Sequence, residues 1–387
     1  MPDIIVNTQF ARMRSLQLEC GKEISDFTLA YECYGKPNSD RTNAILVCHG
    51  LTADAHAAGK HHDTDARAGW WDAVIGPGRM LDTDRYFVIC SNVLGGCGGS
   101  TGPSSIDQST GRPYAMSFPV LTIWDMVQAQ RQLLDHLGIS GLYAAIGGCM
   151  GGFQVMEWAR RYPDAVDRAV VIGATPSCSA YTIALWHILR RMITADPQWN
   201  EGNYYDNAPP KTGLGLSTAL GLLIWMGHDK LASRFGRLLA NGNNYSYSFD
   251  NDFAAEAFFA NIEASASTRF DANSLLYLMR TMTYFDLTNG FSNLTEALAA
   301  VRANVLLVSY LSDWRYPPEA IEPMRAALNA NNIPAEHTIL ESDFGHGAFL
   351  LDPASLIPVV QEFLSRPTHR SANPQRTAVA MQVNPEI

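Results

Sequence analysis

A glycine-rich segment between a short apolar run and a helix-like run constrains this chain more than any other feature. Residues 142–146 are apolar and short enough for a buried strand, and residues 153–160 have the composition of a helix. Between them lies Gly-Gly-Cys-Met-Gly-Gly, residues 147–152. Flanking glycines permit a strained turn in which the strand and helix backbones pass close to the central residue. The pattern predicts a nucleophile elbow, with Cys149 where serine is usual.

Cysteine at this position keeps a nucleophile and changes its chemistry. The positive end of a helix favours a thiolate over a thiol, so Cys149 is placed for activation. A glycine-rich turn around a small buried cysteine would have the same pattern and no chemistry. The motif by itself therefore leaves both interpretations open.

Composition excludes several classes of protein. The chain has 387 residues, 47% hydrophobic and 17% charged, which suits a globular enzyme. Its 38 acidic and 28 basic residues give a net charge of −10 without a basic stripe, so we expect no nucleic-acid partner. We expect no membrane span, because the longest apolar stretch, residues 214–226, is short and broken.

The cysteines and the first residues bear on location and cofactors. Seven cysteines are scattered without C-x-x-C spacing, and residues 1–8 lack the features of a signal peptide. We therefore expect a cytoplasmic protein without a disulfide framework. No cluster of histidine, cysteine and carboxylate residues has the spacing of metal ligands, so we expect no metal and no tightly bound cofactor.

Strands and helices are predicted to alternate along most of the chain. Residues 13–35 have the alternation of two antiparallel strands around a turn at residues 21–22. Apolar strands are predicted over 43–48, 86–90, 169–174, 305–310 and 337–340, with helices over 122–137, 318–330 and 356–364. This order predicts a doubly wound α/β core formed by residues 1–175 and 301–366.

The alternation stops between residues 176 and 300. This segment is rich in helix formers and aromatic residues, which predicts a helical lid domain inserted into the core. Its apolar faces also offer a dimer contact. The tail, residues 367–387, is rich in polar residues and proline and is predicted to be disordered.

Two further residues complete a candidate catalytic triad. A nucleophile needs a base and a group that orients the base, in the order nucleophile, acid, histidine for this arrangement of strands. Asp313 follows the strand predicted to end at residue 310, and His346 lies in a glycine-flanked loop after the next strand. The weaker base candidates, none with that placement, are His49, His56, His187 and His228.

The loop after the strand at residues 43–48 supplies the other candidate group. It begins His49-Gly50-Leu51, and a His-Gly loop here commonly donates one backbone N–H to an oxyanion hole. The second donor is the amide after the nucleophile. We therefore predict that the amides of Leu51 and Met150 stabilise the oxyanion of a tetrahedral intermediate.

Several motifs together resemble the homoserine O-acetyltransferase family of the α/β-hydrolase fold, over nearly the whole chain up to about residue 365. They lie at residues 47–52, 69–72, 75–78, 82–90, 96–103, 147–152, 235–237, 312–314 and 345–346. The resemblance implies an α/β-hydrolase fold with a helical lid, an acyl-enzyme mechanism through Cys149, His346 and Asp313, and a homodimer.

The substrate pocket departs from this resemblance. Family members hold homoserine by its carboxylate and ammonium groups, and the corresponding Asn-Glu pair and arginine are Trp186, His187 and Thr218 here. Gly347 replaces the Asp that usually follows the catalytic histidine. We therefore expect a more apolar pocket without the cation that pairs with a carboxylate, and an acceptor other than homoserine.

Three functions remain after these steps. The leading hypothesis is a carboxylic-ester hydrolase that acts on short-chain acyl esters such as acetyl esters. The alternative is an O-acyltransferase that moves an acetyl group from acetyl-CoA to an alcohol or thiol, because a thioester intermediate partitions readily toward other nucleophiles. A binding protein with an inactive site is the third. The expected partner is a small-molecule ester or an acyl-CoA.

Overall fold

The computed structural model describes residues 4–240, 242 and 244–367. All but the first residue of the predicted tail at 367–387 lies outside the described residues. The strands are β1 (Gln9–Arg12), β2 (Ser15–Gln17), β3 (Glu23–Ser25), β4 (Thr28–Tyr34), β5 (Ala44–Cys48), β6 (Ile75–Gly76), β7 (Leu81–Asp82), β8 (Phe87–Ser91), β9 (Ile106–Asp107), β10 (Arg112–Pro113), β11 (Ala144–Gly148), β12 (Arg168–Ile172), β13 (Asn304–Tyr310) and β14 (Ala335–Leu340).

The helices follow the same chain order. They are α1 (Ile123–His136), α2 (Met150–Arg161), α3 (Ala180–Thr194), α4 (Lys211–Trp225), α5 (His228–Phe235), α6 (Ala254–Arg269), α7 (Ala272–Tyr284), α8 (Leu294–Leu298), α9 (Pro318–Ala330), α10 (Ala348–Leu351) and α11 (Leu356–Ser365). None of the helices among the described residues has by itself the length and apolar composition to cross a membrane. One pair, Gly345–Leu351 with Leu356–Ser365, has them jointly and is bent by 66°.

An eight-stranded sheet forms the centre of the fold, in the order β1-β4-β8-β5-β11-β12-β13-β14. The six strands from β8 to β14 run parallel. Strand β4 pairs antiparallel with β8, and β1 pairs antiparallel with β4. The predicted antiparallel opening is therefore present, but β4 pairs with β1, while β2 and β3 form a separate hairpin. This difference follows from burial, because β4 is covered on both faces as a central strand must be.

The parallel strands are apolar because both faces of the sheet are covered. Every residue of β5, β8, β11 and β12 is buried. Alternate side chains point to opposite faces: Leu46 joins the core cluster under α1 and α2, whereas Ile45 and Val47 join the cluster under α11. Continuous apolar runs in the sequence therefore carry the sheet, and helices occupy both of its faces.

A helical layer, α3 to α8, lies between β12 and β13 in the chain. Helices α4 and α6 pack closely, since a Cβ on Gly215 would lie 2.8 Å from the carbonyl oxygen of Glu263. Helix α7 is anchored to the core: Tyr277 donates a hydrogen bond to the Phe118 carbonyl at 2.6 Å, and Thr281 donates one to the Leu121 carbonyl at 2.9 Å. The layer is therefore fixed to the core through buried polar contacts.

We expect Gly151→Ala to lower the free energy of unfolding by about 1–3 kcal/mol or more, as overpacking does in a tight core. A Cβ at Gly151 would lie 2.0 Å from the carbonyl oxygen of Cys48. Gly221→Ala is the matched control, because a Cβ there meets nothing within 4 Å in the interior of α4. That control should gain about 0.5–1 kcal/mol.

Urea denaturation of both variants and the parent measures these differences. A Gly151→Ala midpoint equal to that of the parent would contradict the close approach of β5 and α2.

Candidate active site

The strand–turn–helix around Cys149 has the geometry of a strained elbow. Cys149 lies between β11 and α2 with φ of +59° and ψ of −125°, in a region that L-residues rarely adopt. Glycine is required beside it, because a Cβ on Gly148 would lie 2.6 Å from the ring of Phe349. The turn places the sulfur at the positive end of α2, where negative charge is favoured.

An imidazole and a carboxylate are paired beside this turn. His346 lies in a short 3₁₀ turn after β14, and Asp313 lies in the turn after β13. The Nδ1 atom of His346 is 2.7 Å from Oδ2 of Asp313, and both side chains are almost fully buried. Gly173, with φ of +53°, packs against the pair, since a Cβ there would lie 3.2 Å from the imidazole. The two residues predicted as base and orienting acid therefore form a buried ion pair.

The ionisation of Cys149 and His346 is coupled. Burial raises the pKa of the Cys149 thiol. The charge of His346 and, to a smaller extent, the charge of Arg315 outweigh burial and lower the pKa to about 7. Burial lowers the pKa of His346, whereas the charges of Asp313 and Cys149 raise it to about 9. Between these values the favoured form of the pair is a thiolate beside an imidazolium. No hydrogen bond of normal geometry uses Nε2 of His346 among the described residues.

Asp313 keeps its charge in spite of burial. Burial raises its pKa, but His346 and the backbone amide of Tyr316 lower it, and the result lies below the usual value of a carboxyl. Its Oδ1 atom accepts hydrogen bonds from the amides of Arg315 and Tyr316, both at 3.0 Å. Oδ2 is thereby left for His346. The carboxylate is thus fixed by the turn in which it lies.

The loop and the helix start that carry the predicted oxyanion donors flank Cys149. The Met150 amide helps to lower the pKa of the Cys149 thiol, and a Cβ on Gly50 would lie 3.7 Å from the Cβ of Cys149. Leu51 follows Gly50 directly. The loop is held by His49, whose Nδ1 lies 2.7 Å from the Gly50 carbonyl and whose Nε2 accepts from Val93 at 3.0 Å. Because both ring nitrogens of His49 are engaged, it positions this loop.

The three predicted pocket residues have different surroundings. Trp186 is buried and adjoins the guanidinium of Arg315, 4.3 Å from the ring centre. His187 lies on the exposed side of α3, because successive residues of a helix point about 100° apart. The hydroxyl of Thr218 donates to the Leu214 carbonyl within α4 at 2.8 Å. Of the three, Trp186 is the residue that the structure places beside the site.

A cation that the sequence analysis missed lies at the site. The backbone amide of Arg315 donates to Oδ1 of Asp313, and the positive charge of its side chain lowers the pKa of Cys149. The expectation of a pocket without a carboxylate-binding cation considered positions of the helical layer alone and stays a prediction. It did not consider Arg315. The available signal was its position, two residues after Asp313.

The remaining candidate histidines lie elsewhere. His228 is exposed and pairs with the adjacent Asp229. His56 lies 3.0 Å from Glu32, on the loop after β5. His228 and His56 are thus engaged by carboxylates other than Asp313.

Comparison with known proteins places this site in a family. The α/beta hydrolase fold model matches residues 43–353. The homoserine O-acetyltransferase of Methanosalsum zhilinae is 48% identical over 365 residues, which cover 94% of this chain and 74% of that protein. The chain belongs to the homoserine O-acetyltransferase family of the α/β-hydrolase fold. Both the predicted fold class and the predicted family are therefore confirmed.

Solved structures agree with this assignment. The homoserine O-acetyltransferase from Bacillus anthracis superposes with a TM-score of 0.88 at 32% identity, covering 94% of this chain and 99% of that one. Esterase E22 superposes with a TM-score of 0.85 at 30% identity, covering 93% and 100%. The shared fold thus carries both transfer and hydrolysis in other proteins.

The leading hypothesis of the sequence analysis, an ester hydrolase, is contradicted by these relatives. The curated relatives from Methanosalsum zhilinae, Methanohalobium evestigatum and Geobacter metallireducens, 44–48% identical, are all homoserine O-acetyltransferases. The hypothesis gave most weight to polar residues lost from the helical layer, and the similarity to these relatives over nearly the whole chain outweighs that signal. The family supports acyl transfer, the alternative, in its place.

One group of residues outside this site has metal-ligand geometry, although no sequence spacing indicated it. Ligand atoms of Glu32, His56 and His61 lie within 4.8 Å of one another. Glu32 is fully buried and accepts hydrogen bonds from Thr8 at 2.8 Å and Tyr34 at 2.7 Å, besides contacting both imidazoles.

These contacts already satisfy the Glu32 carboxylate. Burial raises its pKa, but the bonds from His56, His61, Tyr34 and Thr8 lower it to about 2. A carboxylate that remains charged can hold the imidazoles as an ion pair without a metal. The network ties β4 to the loop that carries Leu51, a predicted oxyanion donor.

We expect the reaction of Cys149 with iodoacetamide to increase as pH rises through about 7, because the thiolate is the reacting form. In His346→Gln the midpoint should move well above 7, since the charge that offsets burial is lost. Peptide mass mapping measures the modification of Cys149 separately from that of exposed Cys20. An unchanged midpoint in His346→Gln would contradict the thiolate–imidazolium pair.

Proposed function

We propose that this protein is an O-acetyltransferase that carries the acetyl group of acetyl-CoA on Cys149 and transfers it to the hydroxyl of a small acceptor. Homoserine is the first acceptor to test, because the curated relatives are homoserine O-acetyltransferases. The proposal depends above all on one observation: the nucleophile lies beside a buried His346–Asp313 pair in a chain of this family.

The first half of the proposed reaction loads the enzyme. The thiolate of Cys149 attacks the carbonyl carbon of acetyl-CoA, and the amides of Leu51 and Met150 donate to the oxyanion that forms. The carbon–sulfur bond to coenzyme A breaks, and the imidazolium of His346 gives its proton to the departing thiolate. One thioester replaces another, so the energy of the acetyl–sulfur bond is retained in acetyl-Cys149.

The second half transfers the acetyl group. Neutral His346 accepts the proton of the acceptor hydroxyl while its oxygen attacks the acetyl carbon. The tetrahedral intermediate breaks its bond to sulfur and leaves an oxygen ester and the Cys149 thiolate beside an imidazolium. Asp313 holds the ring orientation in both halves and stabilises its positive charge. The starting ion pair is therefore restored without an external acid or base.

In this proposal the helical layer acts as a lid over the site. Trp225, the last residue of α4, lies beside the loop of His346. A Cβ on Gly347 would lie 2.5 Å from the ring of Trp225. A layer seated on the His346 loop limits the access of water to acetyl-Cys149, which favours transfer to a bound acceptor. The polar half of the acceptor would then lie between the layer and the core.

We expect acetyl-CoA to leave one acetyl group on Cys149, and homoserine to remove it as O-acetylhomoserine. In Cys149→Ala transfer should fall at least about a thousandfold, as when a covalent nucleophile is lost. Cys20→Ser is the control, because Cys20 is exposed and distant in sequence from Cys149, and this variant should keep its activity. Mass spectrometry of the intact protein and of the product measures both steps.

Failure to detect acetylation of the parent enzyme at Cys149, with the protein folded and acetyl-CoA in excess, would reject the proposed function. Acetylation without transfer to homoserine would keep the mechanism and reject this acceptor.

A cytoplasmic homodimer is the remaining part of the proposal. Large apolar side chains exposed on α3 and α4 support it: Tyr181, Ile183, Ile188, Leu216 and Leu223. All seven cysteines are free, which suits a reducing compartment. Sedimentation should give a mass near twice that of the 42.5 kDa chain. Leu216→Glu with Leu223→Glu should shift it toward the monomer, and a monomeric parent would remove the dimer from the proposal.

A further inference from the structure

Arg315 is an unusual residue for the interior of a protein. Its backbone amide is fixed by Oδ1 of Asp313, so the turn that orients the catalytic base also directs this side chain. Its guanidinium lies 4.3 Å from the ring centre of Trp186 and 5.1 Å from that of Tyr316. The cation is therefore held between two aromatic rings on the side of the site that faces the helical layer.

The hydrogen bonds of this guanidinium are incomplete. Nε and Nη2 of Arg315 are both buried and have no partner among the described residues. Buried polar groups are nearly always hydrogen-bonded, and an arginine remains charged in any protein environment. Asp313 does not fill the gap, because its oxygens are used by His346 and by two backbone amides. The Nε and Nη2 atoms form one edge of the fork, and that edge matches the two oxygens of a carboxylate.

A cavity of about 380 Å³ lies beside this cation. Besides Arg315 it is lined by Trp314 and by a set of hydroxyl side chains, which are Thr175, Ser177, Ser179, Tyr181 and Thr182. The size is at the lower end for small-molecule sites. One cation with several hydroxyl groups suits a small molecule that carries both a carboxylate and an ammonium or hydroxyl group. The cavity adjoins the candidate triad through Arg315, which lines the cavity and whose backbone amide donates to Oδ1 of Asp313.

We propose that Arg315 binds the carboxylate of the acceptor and thereby selects hydroxy acids, such as hydroxy amino acids, over neutral alcohols. This inference rests on the proposed transfer function. A carboxylate on the acyl group of a dicarboxylic acyl-CoA has the same chemistry, and the experiment separates the two sources. We favour the acceptor as the source of the carboxylate, because the relatives are named homoserine O-acetyltransferases and an acetyl group carries no charge.

The test compares two acceptors that differ at the carboxylate. L-homoserine and homoserinol, in which a hydroxymethyl group replaces the carboxylate, are offered to the same acetyl-enzyme. In Arg315→Met the ratio of kcat/KM for homoserine to that for homoserinol should fall roughly 10- to 150-fold, as for loss of a charge-assisted hydrogen bond. The loss should be mainly in KM. Arg315→Lys should recover part of the ratio, because it keeps the charge and loses the fork.

The ratio excludes an indirect effect of Arg315 on the thiolate, because both acceptors use the same acetyl-Cys149. Arg190→Met is the matched control: Arg190 is a half-buried arginine on α3 whose Nη1 donates to Thr283 at 3.2 Å. It should leave the ratio unchanged. Thermal melting of each variant checks that the fold is retained.

Two results would overturn the proposal. Equal losses for homoserine and homoserinol in Arg315→Met would assign Arg315 to the thiolate alone. A loss confined to succinyl-CoA as donor, compared with acetyl-CoA, would assign the carboxylate to the acyl group.

Calorimetric binding of L-homoserine to the unacetylated enzyme separates this proposal from the proposed function. Binding by the parent that is weakened in Arg315→Met supports the carboxylate site even if acetylation of Cys149 fails. A parent that binds neither L-homoserine nor homoserinol, or both equally, overturns it.

Discussion

A single buried carboxylate organises both halves of the site. Oδ2 of Asp313 holds the imidazole of His346, and Oδ1 accepts from the amides of Arg315 and Tyr316. A buried charge is tolerated only when it is paired and hydrogen-bonded, and these contacts meet that requirement. The same contacts set the direction of the base toward Cys149 and of the guanidinium toward the cavity. Movement of Asp313 would therefore disturb proton transfer and anion binding together.

The sulfur makes this arrangement different from one built on serine. A serine hydroxyl stays protonated until a base removes its proton during attack, whereas Cys149 has a pKa of about 7 and is half ionised near neutrality. Its charge is balanced by His346 and supported by Arg315. The guanidinium thus serves the resting enzyme through the thiolate and, in our proposal, the acceptor through its free edge.

Much of the core could be predicted from the sequence because local pattern and global fold agree there. The strand predicted at 305–310 is β13, at Asn304–Tyr310, and the helix predicted at 318–330 is α9, at Pro318–Ala330. Continuous apolar runs and helical spacing are local signals, so they survive folding unchanged. The pairing of β4 with β1 could not be predicted, since it depends on which strand covers the sheet edge. The placement of Cys149, His346 and Asp313 followed from strand order, because parallel strands bring their carboxyl ends to one edge.

The orientation of His187 and the position of Arg315 were not foreseen, each for a local reason. Trp186 and His187 are neighbours in sequence, yet α3 turns one inward and the other to solvent. Arg315 reaches the pocket because an Asp side chain binds its backbone, an interaction with no periodicity to detect. A specificity residue on this turn is coupled to the catalytic acid, whereas one on the helical layer would move with the layer. In our proposal the turn and the helical layer hold the acceptor together, because Arg315 lies on the turn while Tyr181 and Thr182 of α3 line the same cavity.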